Sequence, residues 1–187
     1  MQPRVRQKLL HARSLARVDN ENAAEERNGL VRQAVMNILA AELPGCRWLD
    51  LCSGSGAMAC EALLQGALWV QAVERNPKIA AAARRNFQGL GERWQGNWSL
   101  EISTVERWLQ RSCPEPFDLI YADPPYAAGL YAPMVELISA GGWLKRDGQL
   151  LMECGRDAMP LPPKGWQQIK ERRYGRSVVL QWKLEAG

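Results

Sequence analysis

Short apolar runs alternate with helix-forming segments between residues 46 and 153, and this alternation restricts the possible folds of the 187-residue chain most strongly. Each apolar run has the length and composition of a strand, and each following segment repeats its apolar residues at helical spacing. The predicted strands are 46–51, 69–74, 99–103, 117–122 and 149–153, and the predicted helices are 57–65, 77–90, 104–111 and 131–139. Such alternation predicts an α/β fold with a doubly wound, mostly parallel sheet, because the crossovers between strands are right-handed.

The two ends of the chain differ from this pattern. Apolar residues at helical spacing predict a first helix over 23–41, which Pro44 and Gly45 bring to a stop. Near the other end, 166–174 and 177–184 read as two strands joined by a tight turn, which adds an antiparallel hairpin and completes a seven-stranded sheet. We therefore expect a basic appendage at residues 1–22 and one folded domain at residues 23–187.

Composition excludes several classes of protein. The chain is 47% hydrophobic and 24% charged, and its first residues contain no apolar run long enough for a signal peptide or a membrane span. We therefore expect a cytoplasmic protein without a membrane partner. The five cysteines include no Cys-x-x-Cys pair, and the single histidine, His11, lies outside the predicted core. Neither a disulfide framework, nor a metal site, nor a histidine-based catalytic triad is expected.

Charge is distributed unevenly along the chain, although the net charge is only +4. Residues 1–17 contain five basic side chains and no acidic one. A second basic cluster consists of Lys164, Lys170, Arg172, Arg173 and Arg176, interrupted only by Glu171. Clusters of this kind are typical of a polyanionic partner such as RNA, but charge alone is explained equally well by a solvated surface.

A glycine-rich loop follows the first predicted strand, where the ligand crevice of a doubly wound sheet lies. Glycines allow a ligand to approach the backbone there, while Asp50 can balance an ammonium group and Glu74, after the second strand, can accept hydrogen bonds from a ribose. The candidate cofactor-binding residues are Asp50, Ser53, Gly54, Ser55, Gly56 and Glu74. These residues fit either a nicotinamide dinucleotide or S-adenosylmethionine.

The fourth predicted strand runs into Asp123-Pro124-Pro125-Tyr126. An exocyclic amine on a base is a poor nucleophile, and an enzyme that methylates it must hold the nitrogen in line with the methyl donor. The Asp123 carboxylate and the Pro124 carbonyl can accept hydrogen bonds from the two amine hydrogens, and the prolines stiffen the turn. Tyr126 can stack on a base that has left its helix. This motif favours S-adenosylmethionine over a nicotinamide cofactor, because a dehydrogenase has no use for it.

Together, these motifs resemble those of the bacterial methyltransferases that modify guanine N2 in small-subunit ribosomal RNA. Their residues are similar to those of the cyanobacterial branch. The resemblance covers roughly residues 30–183. The matching segments are 31–39, 48–63, 73–76, 117–126, 148–154 and 174–177.

The resemblance implies a Rossmann-like fold and an S-adenosylmethionine cofactor. The loop from Ser53 to Gly56 would lie beneath the methionine part of the cofactor, and Glu74 would bind the ribose. Asp123, Pro124 and Tyr126 would be the catalytic residues. The implied partner is ribosomal RNA or the small ribosomal subunit, and we expect a monomer.

Two segments depart from the pattern of the resembled family. Before the first helix the family usually has an Arg-Pro-Thr segment, whereas this chain has residues 25–30, which begin with Glu25 and Glu26. After the third strand the family often has an aspartate near the adenine, whereas this chain offers Ser103 and Thr104, of which Thr104 is a candidate cofactor contact. Two alternatives therefore stay open: an RNA-binding protein that keeps the fold but has lost activity, and a nicotinamide-dependent oxidoreductase.

Overall fold

The computed structural model describes residues 22–91, 94, 96–125 and 129–185, and describes side chains from residue 29 onward. The predicted basic appendage at residues 1–22, His11 included, lies outside the described part apart from Asn22. Tyr126 also lies outside it. The boundary between an appendage and a folded domain therefore stays a prediction.

Five helices and seven strands make up the described part of the chain. The helices are α1 (Asn22–Ile38), α2 (Ala57–Leu64), α3 (Pro77–Gly89), α4 (Val105–Leu109) and α5 (Tyr131–Ala140). The strands are β1 (Arg47–Leu51), β2 (Trp69–Glu74), β3 (Asn97–Ile102), β4 (Phe117–Ala122), β5 (Leu144–Gly155), β6 (Trp166–Tyr174) and β7 (Ser177–Leu184). None of these helices combines the length and the apolar character needed to cross a lipid bilayer.

All seven strands form one sheet in the order β3-β2-β1-β4-β5-β7-β6. Strands β1 to β5 run parallel, and β7 lies antiparallel to both β5 and β6. The predicted doubly wound sheet and the terminal antiparallel hairpin are therefore confirmed. The chain moves outward from β1 to β3 and returns to β4 on the other side of β1, so the ligand crevice is expected at the carboxyl ends of β1 and β4.

The sheet is buried on both faces, which explains why its central strands read as apolar runs. In β1, Trp48 packs into the cluster that contains α1, α2 and α3. Its neighbours Leu49 and Leu51 pack into the opposite cluster, which contains α4 and α5. Because successive side chains of a strand point to opposite faces, β1 needs apolar residues at both positions.

Several predicted bounds were wrong: helix α1 ends at Ile38 rather than at residue 41, and β1, α2, α3 and α5 each differ from the prediction by one residue at one end. Strand β5 covers Leu144–Gly155 rather than 149–153, because Leu144 already pairs with Phe117 before an irregularity in the register. The residues between Leu144 and Gly148 are charged, so the apolar pattern that predicted the other strands did not extend to this part of β5. Strand β3 begins at Asn97 and ends at Ile102. Helix α4 is also shorter than the predicted 104–111, since Thr104 is its N-cap.

Replacing Ile120 with alanine is expected to lower the free energy of unfolding by about 2–5 kcal/mol. Ile120 is fully buried in β4, the central strand of the sheet, so its truncation leaves a cavity in the core. Ile102→Ala is the matched control, because Ile102 is 53% exposed and its loss should cost less than about 1 kcal/mol. Urea denaturation measures both values, and equal losses would contradict the described packing.

Candidate active site

Asp123 directly follows β4 and lies beside the glycine loop that follows β1. Its strand ends at Ala122, which pairs with Leu51 at the end of β1. The backbone N–H of Asp123 donates a hydrogen bond to the carbonyl of Leu51 (3.3 Å). Pro124 is buried. The Asp-Pro-Pro segment and the glycine loop, predicted from separate parts of the sequence, therefore start side by side at the same edge of the sheet.

The loop after β1 is held by its own backbone. The N–H of Ser53 donates to the carbonyl of Val73 in β2 (2.9 Å), and the N–H of Gly56 donates to the carbonyl of Ser53 (2.9 Å). The loop also begins with Cys52 at φ +62°, a conformation that is uncommon for residues other than glycine. These bonds hold the loop as a tight turn between strand and helix.

Two glycines in this loop serve different physical purposes. Gly56, at φ +74°, lies so close to α3 that a Cβ atom there would approach the Ala83 Cβ and the Phe87 ring to 3.2 Å. Gly54, at φ +57°, has nothing within 4 Å of the position its Cβ would take. Gly56 therefore permits α2 and α3 to pack together, whereas Gly54 leaves an open backbone surface that a ligand can reach.

Asp50 is a buried carboxyl beneath this loop, with a residue exposure of 1%. The Ser53 hydroxyl donates to its Oδ2 atom (3.2 Å). Burial raises the pKa of Asp50 to about 7, hydrogen bonds from Ser53 and the Ala59 backbone partly oppose the shift, and the charge of Glu74 adds to it. A cationic ligand would relieve this penalty.

Glu74 joins the ends of β1 and β2. Its Oε2 atom accepts from the N–H of Gly54 (2.9 Å), and its Oε1 atom accepts from the N–H of Asn76 (2.7 Å). Asn76 in turn caps α3 by accepting from the N–H of Lys78 (2.9 Å). Each carboxylate oxygen can accept more than one hydrogen bond, so Glu74 keeps capacity for ligand hydroxyls while it fixes the loop.

The Asp123 carboxyl is exposed to solvent in the crevice, yet its pKa is raised above its ordinary value. The largest cause is the protein that surrounds the carboxyl and displaces water. The negative charges of Glu153 and Asp50 raise the pKa further. Asp123 therefore belongs electrostatically to one group with these two acids.

Glu153 is a member of the site that the sequence analysis did not assign. It lies buried near the carboxyl end of β5, where its Oε2 atom accepts from the hydroxyl of Tyr121 (3.0 Å). The hydroxyl of Tyr131 donates to its backbone carbonyl (3.0 Å). The signal was present in the sequence: Glu153 is a charged residue at the end of an otherwise apolar strand.

Two hydroxyl side chains follow β3, that of Ser103 and that of Thr104, the predicted cofactor contact. The Thr104 hydroxyl accepts from the N–H of Arg107 (3.3 Å), so this side chain serves as the N-cap of α4. The neighbouring Ser103 hydroxyl is buried and has no hydrogen-bond partner among the described residues. Because a buried hydroxyl without a partner is costly, Ser103 is better suited than Thr104 to receive a ligand atom at this end of the sheet.

Cys52 lies among these acids but is unsuited to nucleophilic catalysis. Burial and the charges of Glu74, Asp123 and Asp50 raise the pKa of its thiol to about 12, so the thiol stays protonated at neutral pH. Within the described ranges, no cluster of three or more His, Cys, Asp or Glu side chains is arranged to hold a metal ion.

Four carboxyl groups thus converge on one edge of the sheet: those of Asp50, Glu74, Asp123 and Glu153. None of them forms an ion pair with a lysine or arginine of the described residues. A crevice lined by acids without cations attracts positively charged ligands and repels anionic ones. Tyr126 lies outside the described residues, so its predicted stacking role stays a prediction.

Known proteins resemble this chain in sequence and in the arrangement of strands. A family model described as Conserved hypothetical protein 95 matches residues 12–183. The Escherichia coli K12 protein named Ribosomal RNA small subunit methyltransferase D is 26% identical over 157 residues, covering 83% of this chain and 77% of that protein. The Bacillus subtilis protein named Putative rRNA methyltransferase YlbH is 27% identical, covering 82% of this chain and 84% of that protein.

The solved structure of the putative methyltransferase yhhF from Escherichia coli superposes with a TM-score of 0.79 at 24% identity and covers 92% of both chains. This likeness confirms the predicted fold. The family match spans nearly the whole chain, including the glycine loop, Glu74 and Asp123. The chain therefore belongs to the family described as Conserved hypothetical protein 95.

Proposed function

We propose that this chain transfers a methyl group from S-adenosylmethionine to guanine N2 in small-subunit ribosomal RNA. The observation that carries the proposal is the position of Asp123, which is joined through its backbone to the end of β1 beside the open glycine loop. A carboxylate next to a cofactor crevice can hold an amine in line with a methyl donor. The names of the relatives support ribosomal RNA as the substrate.

S-adenosylmethionine fits the residues of the crevice. When bound, it would supply a methyl group on a cationic sulfonium. Asp50 would balance its ammonium group, the open backbone at Gly54 would lie beneath its methionine part, and Glu74 would accept from the ribose hydroxyls. The buried hydroxyl of Ser103 would face the adenine end.

A nicotinamide dinucleotide fits the same residues poorly. Its pyrophosphate carries two negative charges and would lie over the loop between Ser53 and Gly56. There it would meet Asp50, which has no cationic partner among the described residues, whereas Glu74 could bind the ribose of either cofactor. Electrostatics therefore favours the cationic cofactor, and the oxidoreductase alternative rests only on the glycine spacing.

In the proposed mechanism, Asp123 and the Pro124 carbonyl accept hydrogen bonds from the two hydrogens of the target amine. This orientation, together with the neighbouring negative charges, would account for most of the rate enhancement. No strong base is needed beforehand, because the nitrogen becomes acidic only when the methyl group arrives. Desolvation raises the pKa of Asp123 to about 8, so the cationic cofactor would first have to stabilise its carboxylate form, which could then accept the released proton.

Labelled S-adenosylmethionine and small ribosomal subunits that lack their own modifications test the proposal directly. We expect incorporation of label, and mass spectrometry of the nucleosides should identify N2-methylguanosine. A different methylated nucleoside would contradict the proposed base. Binding of cofactor and RNA without any transfer would instead favour the inactive RNA-binding alternative suggested by residues 25–30.

Asp123→Asn is expected to lower kcat by about 100-fold while S-adenosylhomocysteine binds with near-normal affinity. The amide has one acceptor oxygen where the carboxylate has two and carries no charge, so it orients the amine poorly and cannot take its proton. Asp147→Asn, at an exposed position on β5 away from the crevice, is the matched control. Single-turnover kinetics and calorimetry separate the two effects, and near-normal turnover in Asp123→Asn would rule out this mechanism.

The affinity for S-adenosylmethionine is expected to weaken as the pH falls below about 7. Asp50 must lose its proton to balance the ligand ammonium, and its pKa of about 7 means that the free protein is increasingly protonated at lower pH. The Asp50 proton by itself predicts up to about a tenfold loss of affinity per pH unit below pH 7. Asp123, whose pKa is raised to about 8, extends the onset of the loss toward pH 8. Calorimetry at several pH values measures this slope.

Asp50→Asn provides the control for that assignment. In the free protein, burial raises the pKa of Asp50 above its unfolded value, so the charged form destabilises the fold as the pH rises from about 4 to 7. The variant should therefore bind cofactor weakly but unfold at a higher temperature than the unmodified protein at about pH 8. A lower melting temperature would show that the Asp50 charge is compensated within the fold.

A further inference from the structure

The turn between β6 and β7 lies at the same edge of the sheet as Asp123. Ser177, at the start of β7, pairs with Gly155, at the carboxyl end of β5. The turn residues Gly175 and Arg176 therefore lie beyond that edge. The N–H of Arg156 donates to the carbonyl of Arg176 (3.1 Å), which joins the turn to the segment that follows β5.

The register across the sheet gives the separation. Ala122 in β4 pairs with Met152 in β5, Met152 pairs with Leu180 in β7, and Leu180 pairs with Glu171 in β6. The residues that follow the two outer members of this row are Asp123 and Arg172. Three strand spacings of about 4.8 Å therefore separate them, a distance of roughly 14 Å.

Arginines are concentrated on this part of the surface. We call it the hairpin surface and define it by the exposed residues Arg156, Arg172, Arg173 and Arg176. Its two acids are Asp157 and Glu171, and Glu171 is engaged with Arg173 (2.7 Å). Among the described residues, Arg156, Arg172 and Arg176 have no ion-pair partner.

The scaffold that carries these arginines is well defined. Gly175 adopts φ +61°, as the first residue of a two-residue hairpin turn requires. Arg172 pairs with Val179 and Arg173 with Val178, and both valines are buried in the core. Consecutive arginines therefore lie on opposite faces of a regular ladder whose partner strand is anchored in the core.

We propose that the hairpin surface binds phosphates of the RNA strand that flanks the base presented to Asp123. This inference rests on the proposed function, because it takes RNA as the substrate. Guanidinium groups match phosphate geometry, and those without a carboxylate partner lose no ion pair when they bind it. A distance of roughly 14 Å lies within reach of phosphates a few nucleotides away from that base on the same strand. The acidic crevice would thus bind the cationic cofactor, and the basic hairpin surface would bind the polyanionic RNA.

The double variant Arg172→Gln/Arg176→Gln tests the proposal. The matched control is Arg85→Gln/Arg107→Gln, which removes from helices α3 and α4 two exposed arginines that form no ion pair with any described residue. Fluorescence anisotropy with a labelled transcript of small-subunit ribosomal RNA measures binding over a range of salt concentrations. Kinetics with the same RNA measures KM and kcat.

The hairpin variant is expected to bind RNA about tenfold more weakly at about 100 mM salt, with a salt dependence flatter by about 1.5 in the log–log slope. Its KM for RNA should rise similarly, while kcat at saturating RNA and the affinity for S-adenosylhomocysteine stay unchanged. The control pair should stay within about twofold of the unmodified protein. Arg172→Lys/Arg176→Lys should recover most of the salt dependence, since lysine keeps the charge.

Unchanged RNA affinity and salt dependence in the hairpin variant, or an equal loss in the control, would overturn the proposal and mark the arginines as a solvated surface. Failure of the proposed function gives a different result. In that case the unmodified protein would transfer no methyl group to RNA, whereas the binding comparison between the two double variants would still decide the role of the hairpin surface.

Discussion

The adjacency of β1 and β4 is the constraint on which the site depends. These strands are far apart in the sequence but neighbours in the sheet, and the chain reverses its direction of travel between them. Their pairing brings Leu51 next to Ala122, so the loops that follow both strands begin side by side. The hydrogen bond from Asp123 to Leu51 adds one further link beyond the strands. The proposed catalytic carboxylate and the proposed cofactor loop thereby border the same crevice.

Charge at this edge of the sheet conflicts with stability, which is common at functional sites. Asp50 and Glu153 are buried, and the charges of both raise the pKa of Asp123. The fold supplies hydrogen bonds from Ser53 and Tyr121 but no cation from the described residues. In the proposed function, a positively charged ligand would provide the compensation that the described residues do not supply. The arginines of the hairpin surface lie beyond the crevice, where a polyanion can reach them without neutralising the acids.

Local patterns predicted much of the fold. Strands 69–74 and 117–122 have the predicted bounds because their apolar runs are bracketed by residues that end a strand. The hairpin strands 166–174 and 177–184 were predicted with the same accuracy, because the turn between them contains Gly175. The first half of β5 was missed, since its charged residues do not resemble a strand and it is held by pairing with β4. That pairing is a property of the tertiary structure and leaves no local signal.

The site was predictable where a motif sets the spacing. Asp50, near the end of β1, and Glu74, at the end of β2, lie at one edge of the sheet because parallel strands end at the same edge, and their contacts with a ligand stay a prediction. Glu153 was missed because its role depends on Tyr121, which contacts it only after β4 and β5 pair. Similarly, the sequence alone does not show that the Thr104 hydroxyl caps α4, because this contact depends on where α4 begins.

A crystal structure of the chain with S-adenosylhomocysteine bound would show whether the crevice beside Asp123 is the methyl-transfer site. We expect the ligand amine to lie near Asp50, its ribose hydroxyls to reach Glu74, and its sulfur to face Asp123. The space between the sulfur and the Asp123 carboxylate should admit an amine nitrogen at a reacting distance of about 3–3.5 Å from the transferred carbon. A ligand bound elsewhere, or a sulfur directed away from Asp123, would contradict the assignment of this crevice as the methyl-transfer site.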